Sequence, residues 1–115
     1  GIVLTGKLGY DEMADVYAAS DLILLPSIWQ EPLSGILLEA AAMGKFVLSS
    51  NSGGSKDVMK DLIDPYDLDE WKRRIRELIE NDKLRERKAK EWSEEAKKKY
   101  DVDVIAKRVE ACLKE

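Results

Sequence analysis

Two glutamates, Glu31 and Glu39, are the residues of this chain best placed to do chemistry. They stand eight positions apart in the run PSIWQEPLSGILLEAAAMGKFVLSS, residues 26–50. Glu39 lies in a helical run from Gly35 to Met43 that is otherwise apolar, with Gly35, Ile36, Ala42 and Met43 three or four positions away. No Lys or Arg falls within a turn of it, so the carboxylate needs a partner from elsewhere in the chain. Helical side chains lean toward the N-terminus, and Glu39 can therefore reach back over the first turn. Ser34 can cap that turn, which leaves free N–H groups near Gly35, Ile36 and Leu37. A helix start of this kind attracts anions. Glu31 sits just before it, on the loop that leaves a strand-like run. Carboxylates do not bind phosphate, but they accept hydrogen bonds from ribose or sugar hydroxyls. Amides for a diphosphate, with a carboxylate toward each end, suit a nucleotide-diphosphate sugar. The ordinary alternative is a solvent-facing Glu39 and a plain loop Glu31.

These groups need elements to hold them. Residues 2–5 (IVLT), 21–27 (DLILLPS) and 45–50 (KFVLSS) are apolar runs of strand length. Between the first two, YDEMADVYAAS places Met13, Val16 and Tyr17 on one helical face. Between the second and third lies the Glu39 helix, ended by Gly44. Short apolar strands alternating with helices indicate βαβ units and a parallel sheet, whose ligands bind at the carboxyl edge. From Asp67 the chain turns helical and charged. Asp67 and Glu70 have the spacing of an N-cap and its capping-box partner. Trp71, Ile75, Leu78 and Ile79 form one apolar face, Leu84, Trp92 and Ala96 a second, and Ile105, Val109, Cys112 and Leu113 a third. The fold class expected is α/β, a single Rossmann-like domain over 1–115 with three or four parallel strands. Its βαβαβ portion covers 1–66 and its helical, charged portion 67–115.

Composition removes several alternatives. The 115 residues are 44% hydrophobic and 37% charged, which fits a small globular domain with one core. Histidine is absent, which excludes Ser-His-Asp and Cys-His catalysis and His-ligated zinc. The lone Cys112 forbids an internal disulfide. With a net charge of −4, the chain does not read as a nucleic-acid binder. The basic clusters RERKAK and KKK belong to a segment, Lys60 onward, with 16 basic and 16 acidic residues, which is a solvated face. Trp71 and Trp92 are expected as core anchors. No run is long enough for a membrane span and no secretory signal opens the sequence, so a cytoplasmic protein is expected.

The run SDLILLPSIWQEPLSGILLEAAAMGKFVLSSNSGG resembles the donor-binding, C-terminal half of retaining glycosyltransferases of the GT-B fold, the "group 1" or family-four transferases. The family pattern falls on Pro26-Ser27, Glu31-Pro32, Glu39, Gly44 and Gly53-Gly54, and the similarity extends through IVLTGKLGYDEMADVYAASD and IDPYDLDEWKRRIRELIEND. The resemblance implies that Glu31, the catalytic candidate, contacts the donor sugar and that Glu39 binds the ribose hydroxyls. It also implies that the backbone at Ser34, Gly35 and Ile36 faces the diphosphate. The donor is then a nucleotide-diphosphate sugar, with no cofactor and no divalent metal. Trp29 is a weaker candidate, for stacking on a base or sugar or else for loop packing. Gly53 and Gly54 are also weaker candidates, for a loop beside the donor or else a plain turn.

The sequence departs from the family pattern in several places. The family glycine after Glu-Pro-Phe falls at Ser34, while the glycine here is Gly35. Phe46 replaces a proline, Asp57 replaces a glutamate, and LI at 62–63 stands where a last strand is expected. The acceptor domain, the first two donor-domain strands and the cations for the diphosphate have no counterpart in these residues. An isolated chain is therefore expected to be inactive or nearly so, and to need the missing domain or a partner chain. The run at 2–5 lacks its usual neighbours, so it must pair differently, pair with another chain, including a homodimer through an exposed sheet edge, or stay loose. Two other readings remain at this level: a non-catalytic nucleotide- or phosphate-binding module, and a structural fragment of the same fold that binds nothing.

Overall fold

The computed structural model describes residues 1–114. Its elements, in chain order, are α1 (Tyr10–Ala19), β1 (Ile23–Leu25), α2 (Gly35–Ala42), β2 (Val47–Ser50), the single turn α3 (Ser55–Val58), β3 (Leu62–Ile63), α4 (Leu68–Glu80), α5 (Asp82–Tyr100) and α6 (Val102–Leu113). The three strands form one parallel sheet in the order β1-β2-β3. Ile23 is in register with Val47, and Ser49 with Leu62. The βαβαβ unit is real, but it runs from β1 to β3 and α1 precedes it.

The central strand is β2, and all four of its residues are buried. A strand covered on both faces reads as a continuous run rather than an alternating one, which is why KFVLSS shows no period of two. The helix α2 is apolar on most sides and buries Leu37, Ala40 and Ala41. Gly44, at φ +67°, ends it in the left-handed conformation, and the Gly44 and Lys45 amides donate back to the carbonyls of Ala41 and Ala40. The Lys45 ammonium then donates to the carbonyls of Ala18 and Ser20, at 3.0 and 2.8 Å. It thereby ties the carboxyl end of α1 to the start of β2.

Both indoles are core anchors, as their sequence context implied. Trp71 donates to the Asp64 carbonyl at 3.2 Å, and Trp92 to the Leu37 carbonyl at 3.1 Å. Asp67 caps α4 by accepting from the Glu70 amide, and Asn81 caps α5 through the Leu84 amide. The reciprocal half of the expected capping box is missing, because the Glu70 carboxylate is held by Arg73 at 2.6 and 2.8 Å.

One expectation needs correction, and two apolar faces are less covered than their patterns imply. Residues 2–5 form no strand: Ile2, Val3 and Leu4 are 93%, 83% and 93% exposed. The third strand is Leu62–Ile63 instead. A strand exists only where a neighbour supplies its ladder, and none reaches residues 2–5. The third amphipathic helix forms as α6, but none of its residues is buried. Ile79 on α4 also stays exposed, although Trp71 and Leu78 on the same face are buried.

At the start of β3, Asp61 accepts hydrogen bonds from Arg74 on α4 at 2.6 Å and Lys88 on α5 at 2.5 Å. Burial works against its charged form, but the two cations outweigh burial and hold its carboxyl below the usual 3.8. A depressed carboxyl contributes stability that is complete above the unfolded-state value and is lost as pH falls through the folded-state value. Asp61→Asn should therefore lower stability at neutral pH by about 1–3 kcal/mol. The gap to the parent protein should narrow as pH falls below the ordinary carboxylate range and through the lowered folded-state value. Urea titrations at a series of acidic pH values check this, and a gap that does not narrow on acidification would refute it.

Candidate functional site

Because the strands are parallel, the loops that follow β1, β2 and β3 gather at one edge of the sheet. Residues 26–34 and 51–54 meet there. The Ser27 carbonyl accepts from the Ser50 hydroxyl at 2.5 Å and from the Ser52 hydroxyl at 2.7 Å. Ser50 and Ser52 are buried, so these bonds satisfy hydroxyls that water cannot reach. The Ser27 hydroxyl in turn donates to Glu31 Oε1 at 3.3 Å. A chain of serines thus links the end of the central strand to the first glutamate.

The two glycines serve the same junction. The Gly54 amide donates to the Glu31 carbonyl at 2.8 Å, and the Gly53 amide to the Gln30 side chain at 3.0 Å. A Cβ on Gly53 would lie 2.1 Å from the Glu31 carbonyl oxygen, and one on Gly54 would lie 1.4 Å from that of Pro32. Gly53 also has a positive φ of 53°. These residues are a close backbone approach rather than a plain turn. They seat the loop after β2 directly on Glu31 and Pro32.

Glu39 has the partner its helix lacks. Tyr17, buried on α1, donates its hydroxyl to Glu39 Oε2 at 2.8 Å. Burial first, and then the neighbouring carboxylate, raise the Tyr17 phenol to about 12, so it remains a donor across the physiological range. The other carboxylate oxygen, Oε1, is folded back over the first helical residue: a Cβ on Gly35 would stand 3.3 Å from it. A side chain at residue 35 would crowd that oxygen, which would have to give way by a few tenths of an ångström. Tyr10, Met13, Ala14, Ala42 and Met43 complete a crevice of about 170 Å³ around Tyr17 and Glu39.

Ser34 is buried at the N-cap of α2, yet its hydroxyl makes no capping bond. This corrects the expectation of a side-chain cap. Its carbonyl instead accepts from the Leu37 amide at 3.2 Å. Leu37 is therefore engaged, while the earliest amides of α2, at Gly35 and Ile36, have no intrahelical acceptor. Trp29 is 78% exposed, so it does not pack its own loop. The structure brings Glu31 together with Gly53 and Gly54, and Glu39 together with Gly35. Tyr17, Gln30, Ser27, Ser50 and Ser52 are the supporting residues that sequence reasoning missed. The serines at the ends of LLPS and VLSSNS were the visible sign, since polar residues closing two buried strands must find partners.

Among the described residues no group of three or more His, Cys, Asp or Glu is arranged to hold a metal ion. No helix among them is long and apolar enough to cross a membrane.

Residues 1–99 match the model of the family described as glycosyl transferases group 1. A sulfoquinovosyl transferase of Arabidopsis thaliana is 32% identical over 107 residues, which cover 86% of this chain and 21% of that protein. Spore coat protein SA of Bacillus subtilis is 29% identical over 100 residues, covering 82% of this chain and 26% of its own length. A lipopolysaccharide 1,2-N-acetylglucosaminetransferase of Salmonella typhimurium is 35% identical over 68 residues, 59% of this chain and 18% of the enzyme. The chain thus spans about a fifth to a quarter of these relatives. No solved structure matches it.

Proposed function

The chain belongs to the group 1 glycosyl transferases, and from that premise we propose that it forms part of the nucleotide-sugar donor site of a retaining, GT-B-type glycosyl transfer. The observation that carries this reading is the Glu39 carboxylate, folded back over Gly35 at the start of α2. An anion-attracting helix start and a hydroxyl-accepting carboxylate stand within one turn of each other. A ribonucleoside diphosphate has both matching groups, phosphates and a vicinal diol.

In this reading the backbone of Ser34, Gly35 and Ile36 faces the diphosphate, and Oε1 of Glu39 accepts from ribose. Glu31, held by Ser27 and by the Gly53-Gly54 loop, faces the donor sugar. Trp29 is exposed and available to stack on a base or sugar. The chain's contribution to catalysis is to position the donor and to stabilise the charge that builds on the departing diphosphate. The reaction needs no metal from these residues. The family's acceptor groups and diphosphate cations have no counterpart matched among these residues, so turnover by these residues alone is expected to be negligible.

A titration followed by backbone NMR tests this reading, with inorganic pyrophosphate, nucleoside diphosphates and nucleotide sugars as ligands. The largest shifts should fall at residues 34–39. Glu39→Ala should weaken binding of a ribonucleoside diphosphate roughly 10-fold or more, the worth of hydrogen bonds to a charged group. The same change should leave pyrophosphate binding nearly unaltered. Shifts confined to α4–α6, or none at millimolar ligand, would refute the proposal.

A further inference from the structure

We propose that Tyr17 is the positioning residue for Glu39, fixing the carboxylate so that one oxygen is presented to the ligand at the start of α2. The inference rests on the donor-site reading and adds a residue to it. Tyr17 and Glu39 are 22 residues apart, on different helices, and their hydrogen bond is partly buried. The bond occupies Oε2 and leaves Oε1 over Gly35. An unrestrained glutamate has three side-chain torsions to lose on binding, and each ordered side chain adds to the entropic cost of a complex. Anchoring one oxygen beforehand removes much of that cost and sets the plane of the carboxylate. The other residues lining the crevice offer no cation that could do the same: they are Tyr10, Met13, Ala14, Ala42 and Met43. Of these only Tyr10 has a side-chain donor, and it is 83% exposed.

The geometry separates this role from simple packing. Tyr17→Phe keeps the ring and its buried contacts but deletes the donor to Oε2. A packing residue would affect all ligands alike or none. A positioning residue affects the ligand that uses the carboxylate.

The test compares the full chain, Tyr17→Phe and Glu39→Ala, each titrated with a ribonucleoside diphosphate, its 2′,3′-dideoxy counterpart and inorganic pyrophosphate. Tyr17→Phe should reduce the ribo-over-dideoxy preference by roughly 3- to 10-fold, the cost of ordering one side chain on binding, which is less than the loss in Glu39→Ala because the carboxylate itself remains. Pyrophosphate binding should not change. The Glu39 carboxyl carbon resonance in the unliganded protein should also move in Tyr17→Phe, which reports the bond without any ligand. A preference kept at the parent level in Tyr17→Phe but lost in Glu39→Ala would overturn the role of Tyr17 while the donor site stands. A preference unaffected by either change would overturn both.

Discussion

Trp92→Ala is expected to abolish cooperative folding, or to leave a domain destabilised by about 3–5 kcal/mol, the usual range for truncating a buried aromatic. Trp92 is 4% exposed and lies where α5 rests on α2, with its indole N–H on the Leu37 carbonyl. Truncation removes a large apolar volume and one buried hydrogen bond at once. Domains of this size have only about 5–15 kcal/mol of net stability to lose. This one leaves α6 and residues 2–4 without burial, so it is expected near the lower end. Trp92→Phe should cost much less, because most of the ring volume stays and only the donor is lost. Trp29→Ala is the surface comparison, and at 78% exposure it should stay within about 0.5 kcal/mol of the parent. Urea unfolding followed by far-UV circular dichroism ranks the three. A cooperative Trp92→Ala transition within 1 kcal/mol of the parent would show that α5 does not hold α2. Since Leu37 is two residues before Glu39, the same loss of docking should also broaden the Glu39 resonances.

What could be read from the sequence divides along a physical line. The helices of α2, α4 and α5 were legible because their signals are local: apolar periodicity, the Asp67 cap, and Gly44 after the last turn. The runs around Ile23–Leu25 and Val47–Ser50 were legible as well, as short continuous apolar runs of strand length, although only the second is buried throughout and Leu24 stays exposed. Residues 2–5 misled for the complementary reason. IVLT has the residue types of a strand, but pairing is a property of two segments, and the open side of β1 is not taken by this one. For α6 the amphipathic pattern was correct, but a pattern does not say whether anything covers the apolar face. The need of Glu39 for a partner could be stated from its neighbours. The identity of that partner could not, because Tyr17 comes from α1 and reaches α2 only through the packing of the fold. Gly53-Gly54 shows the same limit: a glycine pair signals a turn or a close approach, and only the path of residues 30–33 distinguishes them.

The change with the largest expected effect on the site itself is Gly54→Ala. The φ and ψ of Gly54 are −71° and −5°, which any residue adopts, so alanine introduces no backbone strain of its own. The difficulty is space alone. The new methyl would lie 1.4 Å from the Pro32 carbonyl oxygen and 2.5 Å from its carbon, and backbone atoms cannot swing aside as a flexible side chain can. Either the loop at 51–54 or the loop at 30–33 must move. Movement of either breaks the Gly54 amide bond to the Glu31 carbonyl and loosens the Gly53 bond to Gln30. Stability should fall toward the upper end of the roughly 1–3 kcal/mol typical of overpacking. The amide and side-chain resonances of Glu31 should shift more than those of any residue on α4 to α6. Gly44→Ala separates displacement from general destabilisation. Gly44 has φ +67° with nothing within 4 Å of a built Cβ, so alanine there should cost about 1–2 kcal/mol of conformational strain while Glu31 stays in place. On the proposed donor-site reading, nucleotide-sugar binding should weaken in Gly54→Ala and persist in Gly44→Ala at similar loss of stability. If both variants bind the donor equally well, the seating of Glu31 by the glycine loop has no part in recognition, and its close backbone approach serves the fold alone.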